Sequence, residues 1–89
     1  MIRQELVILN KLGLHARAAA KLVQCANRFQ SEVSVERNGQ SVNGKSIMGV
    51  MMLAASQGTT VVVEATGADE QETMAAIEQL ILDRFGEPE

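Results

Sequence analysis

The dipeptide Asn38-Gly39 constrains this chain more than any other local feature. It follows the alternating run Val33-Ser34-Val35-Glu36 and precedes Gln40-Ser41-Val42. Asn and Gly both tolerate positive φ, so the pair predicts a two-residue type I′ turn and hence a hairpin. A loop of that length pairs Arg37 with Gln40 and Val35 with Val42, placing both valines on one face.

Elements of other periodicity flank the hairpin. Glu5 to Asn10 (ELVILN) is a short apolar run closed by Lys11-Leu12-Gly13, which predicts a buried strand and a turn. Beyond it Ala19, Leu22, Val23, Ala26 and Phe29 recur every three or four residues, giving one apolar face to a helix from near His15 to near Arg28. Ser46 caps a short Met-rich helix over Ile47 to Leu53. Thr59 to Thr66 is β-branched enough for a central strand, ended by Gly67-Ala68. Asp69 and Glu72 fit a capping box ahead of a last helix through Met74, Ile77, Leu80, Ile81 and Arg84, finishing near Gly86 and Pro88.

The order βαββαβα predicts an α+β fold, an open-faced β-sandwich. Helices should cover one face of a four-stranded, mostly antiparallel sheet, while Ser34, Glu36 and Glu64 face water. Eighty-nine residues suit one domain, 1–89, with no room for a separate substrate domain. With two Phe and no Trp or Tyr the core must be aliphatic, and stacking on nucleic-acid bases is not expected as a function. A net charge of −3 argues equally against binding a phosphate backbone.

The charge is unevenly spread. Through Lys45 there are seven basic and three acidic residues, net +4; from Ser46 onward there is one basic residue against eight acidic, net −7. Two poles are therefore expected, the first attracting anions. One cysteine, Cys25, forms no internal disulfide, and a single histidine leaves no ligand set for a structural metal. The segment MIRQELVILNK lacks a signal-peptide h-region and no run reaches membrane-spanning length, so a cytoplasmic protein without membrane insertion is expected.

Chemistry concentrates at Gly13-Leu14-His15-Ala16-Arg17-Ala18-Ala19, where a turn passes into a helix at the only histidine. The first amides of a helix lack intrahelical acceptors and carry partial positive charge, so an anion placed there is stabilised. A neutral imidazole offers a nucleophilic nitrogen at physiological pH. A phosphoryl group accepted by His15 would meet the N–H groups of Ala16 and Arg17, and the Arg17 guanidinium could donate two hydrogen bonds to it. Field effects of roughly 0.3–2 kcal/mol tune such a transfer without trapping the group. Which ring nitrogen reacts does not follow from these arguments. A lone histidine could equally be a cap or a surface residue.

The stretches GLHAR and GKSIMGVMMLAASQGT, with the element order between them, resemble the HPr phosphocarrier family over essentially the whole chain. The resemblance implies that His15 is phosphorylated on Nδ1 by Enzyme I, which draws on phosphoenolpyruvate, and that Arg17 assists. Enzyme IIA-type proteins of the sugar or nitrogen branch would be the acceptors. It implies a monomeric carrier that uses no cofactor and is not an independent catalyst. Two departures stand out: Ala18 replaces the proline usual after the arginine, and Leu12 a small polar residue. Losing that first-turn proline should cost about 0.4–1 kcal/mol or less.

The same resemblance makes Ser46 a target for a regulatory serine kinase, beside its plain reading as a cap. It places Leu14, Ala20, Ile47, Met48 and Met51 around His15 as a docking patch, a use that suits adaptable methionines. Lys21 and Lys45 could steer acidic partners toward it. A regulatory binding module, its affinity set by phosphorylation of His15 or Ser46, is a second reading. A small acyl-phosphate hydrolase is a third. It is disfavoured because no carboxylate or amide lies beside GLHAR in sequence except Asn10.

Overall fold

The computed structural model describes residues 1–89. In chain order the elements are β1 (Ile2–Val7), α1 (Ala16–Asn27), β2 (Glu32–Arg37), β3 (Gln40–Asn43), α2 (Ile47–Met52), β4 (Thr60–Thr66) and α3 (Glu70–Leu82), followed by a tight turn over Arg84–Gly86. The four strands lie in the order β1-β4-β2-β3 and all pair antiparallel. This is the expected α+β open-faced sandwich.

The hairpin forms in the predicted register, Arg37 opposite Gln40 and Val35 opposite Val42. Asn38 and Gly39 take φ of 52° and 81°, as a type I′ turn demands. β4 is central, with Val61, Val63 and Ala65 buried beneath the helices. Val62 and Glu64 point to the open face, where Arg3 donates to Glu64 at 2.9 Å. Exposed pairs of this kind contribute only about 0–1 kcal/mol. Burial of aliphatic side chains therefore holds the layers: Ile8, Leu22, Val35, Val50 and Ile77 are all sealed from solvent. α1 brings Ala18, Ala19 and Ala26 into this core, small residues that let its backbone approach the sheet. No helix is long and apolar enough to cross a membrane.

Three boundaries depart from the sequence reading. β1 begins at Ile2 rather than Glu5, because its ladder with β4 runs from Ile2↔Ala65 to Val7↔Thr60. Ile8 and Asn10, although fully buried, belong to the following loop. α1 ends at Asn27, near Arg28 as expected, and Phe29 packs on the core from beyond it. α3 stops at Leu82, since Arg84 and Phe85 adopt positive φ of 54° and 55° that no right-handed helix admits.

The capping box is corrected. Asp69 is the N-cap of α3, yet its side chain caps nothing there. Its carboxylate accepts instead from the Gln30 and Ser31 amides, each at 2.9 Å, and from the Ser31 hydroxyl at 2.5 Å. Charges of the two halves also pair across the fold. β1 pairs with β4, and acidic residues of the second half meet basic groups of the first: Glu64 meets Arg3, Glu89 meets Lys11 at 3.5 Å, and Glu70 meets the N-terminal amine at 2.9 Å.

Candidate functional site

The loop from Ile8 to Leu14 is tied down at both ends. The Ile8 amide donates to the Thr59 carbonyl and the Leu14 amide to the Ala55 carbonyl, each at 2.9 Å. Gly13 turns the chain with φ of 68°, and a Cβ there would lie 2.4 Å from the Ala55 carbonyl oxygen, so glycine is required. His15 follows as the N-cap of α1 in extended conformation. Its carbonyl accepts the first helical bond, from Ala19 at 2.8 Å, while its ring makes no capping bond.

The amides of Ala16, Arg17 and Ala18 thus precede the first intrahelical bond, at the positive end of a twelve-residue helix. Ala16 and Arg17 are exposed, and the His15 side chain is 30% exposed. His15, Ala16 and Arg17 line one open cleft with Lys11, Leu12 and Glu87. A small anion bound to the ring could reach both the free amides and the guanidinium. Ala18 is fully buried, and α1 starts at Ala16 without the family's proline.

The opposite wall of the cleft comes from the C-terminal tail. Phe85 is the one ring sealed in the core. It anchors a turn in which Arg84, Phe85 and Gly86 all have positive φ. The Lys21 ammonium donates to the Phe85 carbonyl at 2.6 Å, and the Lys11 amide to the Glu89 carbonyl at 2.9 Å. Between these ties Glu87 comes to lie over the loop, its side chain only 11% exposed. One carboxylate oxygen accepts from the Asn10 side-chain amide at 3.0 Å, and the other lies 2.5 Å from His15 Nε2. Asn10, itself fully buried, also donates to the Gly13 carbonyl at 2.8 Å, joining the turn to the carboxylate.

Burial alone would raise the pKa of the Glu87 carboxyl. The hydrogen bonds from Asn10 and His15, with the charges of His15 and Lys21, outweigh it and hold the group below the ordinary glutamate value. Glu87 is the residue that sequence reasoning missed. It lies 72 positions from His15, and no spacing rule connects them. No carboxylate lies beside GLHAR in sequence, but the fold brings one against the ring from the C-terminal tail.

Of the proposed docking residues, Ile47, Met48 and Met51 are exposed on α2, Met48 by 71%, and Met52 joins them. Leu14 is corrected: it is buried, with its backbone tied to Ala55, and offers no apolar surface to a partner. Ala20 is half-buried. Lys21 and Lys45 donate to backbone carbonyls, Lys21 to that of Phe85 and Lys45 to that of Phe29 at 2.9 Å, bonds that leave their positive charge in place. Ser46 caps α2 as expected, its hydroxyl accepting from the Gly49 amide at 3.1 Å.

A family model described as the PTS HPr component phosphorylation site matches residues 2–83. The chain is 58% identical over 89 residues to the phosphocarrier protein HPr of Cupriavidus necator, covering all of both chains. It superposes on the crystal structure of HPr-C-His from Thermoanaerobacter tengcongensis with a TM-score of 0.96, at 47% identity and full coverage of both. The crystal structure of an HPr dimer from the same organism aligns with a TM-score of 0.79 at 48% identity, covering 98% of this chain and all of that one.

Proposed function

The chain belongs to the HPr family of phosphocarriers of the phosphotransferase system, and from that premise we propose that His15 is its phosphoryl-bearing residue. In this reading Enzyme I, charged by phosphoenolpyruvate, delivers the group to the ring, and an enzyme IIA-type protein removes it. The observation that carries the reading is the place of the ring: partly exposed at the start of α1, in one cleft with the exposed residues Ala16 and Arg17, whose amides precede the first intrahelical bond. Those donors stabilise a phosphoryl dianion by field and hydrogen bonds. Their contribution of roughly 0.3–2 kcal/mol keeps the group transferable.

The protein is then a stoichiometric carrier working in the cytoplasm, and its exposed α2 methionines form part of the surface that meets donor and acceptor. In this reading the carrier works as a monomer. The dimer solved for a relative makes light scattering of the purified protein the direct check.

Incubation with Enzyme I and labelled phosphoenolpyruvate should place one acid-labile phosphoryl group per chain on the wild type and none on His15→Ala. Label that survives in the variant removes His15 from the role.

A further inference from the structure

We infer that Glu87, held by Asn10, is a positioning residue for phosphoryl transfer: it fixes the proton of His15 on Nε2, so that Nδ1 is the nitrogen that accepts the group. The inference rests on the carrier reading above. It extends that reading to residues beyond position 83, where the family match ends.

A carboxylate only accepts hydrogen bonds. Glu87 is kept ionised, so the 2.5 Å contact is an Nε2–H donated to Oε2. This is the sole protein hydrogen bond of the ring, and in the neutral imidazole it leaves the lone pair on Nδ1. The arrangement is built rather than incidental. Two successive non-glycine residues, Arg84 and Phe85, hold left-handed conformations that L side chains disfavour. Phe85 fills the core and Lys21 fastens its carbonyl. Pro88 restricts the residue before it to extended backbone, and Glu87 has φ −83° and ψ 149°. Asn10 then orients the carboxylate from beneath, with its own side chain fully buried.

In the forward step the Nδ1 lone pair attacks the phosphorus of the phosphorylated donor. The N–P bond forms as the donor's bond to phosphorus breaks, the electron pair leaving with the donor. No proton departs, because Nε2 keeps its own, so the ring becomes imidazolium-like and its positive charge lies against Glu87. In the return step the acceptor's nucleophile attacks phosphorus and the N–P electron pair goes back to Nδ1. A ring that stays protonated on Nε2 is the better leaving group, so the carboxylate assists both directions.

Other charges around the ring are the exposed Arg17, Lys21 beside Glu87, and the Lys11–Glu89 pair of the same cleft. None of these bonds the ring, so substitution of Glu87 isolates the effect.

The experiment compares wild type, Glu87→Gln and Glu87→Ala as full chains, each confirmed to be folded by circular dichroism. Ring nitrogen NMR of the unphosphorylated proteins reads the tautomer, and transfer from phosphorylated Enzyme I is timed from pH 6 to 9. The expected result is a single Nε2–H tautomer in wild type and a mixture in Glu87→Ala. Both variants should transfer about tenfold more slowly than wild type at pH 8, where the neutral ring is the nucleophile. Wild type labelled on His15 with ring spectra and pH profiles unchanged in the variants would overturn the role of Glu87 and leave the carrier reading standing. Wild type that takes no label on His15 would overturn both.

Discussion

Asp69 and Ser31, 38 residues apart, are joined by two hydrogen bonds to one carboxylate oxygen: the Ser31 amide donates at 2.9 Å and its hydroxyl at 2.5 Å. Ser31 is fully buried at the bend between α1 and β2, so its donors have no recourse to water. The contact therefore clamps the start of α3 to the entry of the sheet.

That clamp should set the acid limit of folding. The Ser31 hydroxyl and the Gln30 and Ser31 amides hold the Asp69 carboxyl at about 2, below its ordinary 3.8. A lowered value stabilises the fold fully above the unfolded pKa and is lost as pH falls through the folded one. Asp69→Asn should therefore lower the urea midpoint at pH 5–7, and its deficit should close between about pH 4 and 2. A deficit independent of pH across that window would remove the carboxylate's charge from the explanation.

Gly13 is the residue by which the turn delivers His15. In Gly13→Ala the positive φ alone costs at least about 1–2 kcal/mol, and the new methyl meets the Ala55 carbonyl. The loop must shift to relieve it, carrying His15 with it. The expected outcome is lower stability in urea together with slower phosphoryl uptake, whereas Gly39→Ala, where a Cβ meets nothing within 4 Å, should leave uptake intact.

Met48 tests the docking surface. It is 71% exposed and outside the core, so Met48→Asp should change stability by less than about 0.5 kcal/mol. If α2 meets the donor, the concentration of carrier needed for half-maximal transfer should rise by roughly fivefold or more, the cost of losing over about 1 kcal/mol of contact. An unchanged titration with Enzyme I would exclude Met48 from that interface.

Much of the fold was legible because its signals are local. Asn38-Gly39 encodes a backbone conformation that only one hairpin register accommodates, and the spacing in α1 follows from the helical turn itself. Boundaries failed where tertiary packing overrode pattern: ELVILN reads as one strand, yet Ile8 is buried by the loop's descent into the core. Asp69 failed for a different reason. Its position and the glutamate after it fit a cap, but a carboxylate takes the strongest donors in reach, and those belong to Ser31.

By itself the sequence determined the element order, the hairpin register, the aliphatic core and the histidine at a helix start, all of which depend on neighbours within a few positions. Only the tertiary structure decided what stands against that histidine. The tail must cross the finished core, anchored by Phe85, before Glu87 can reach a ring 72 residues earlier. Leu14 turned inward and Arg3 met Glu64 on the same ground: burial and pairing are set by which strands lie side by side, and a strand order of β1-β4-β2-β3 is written in no single stretch of the chain.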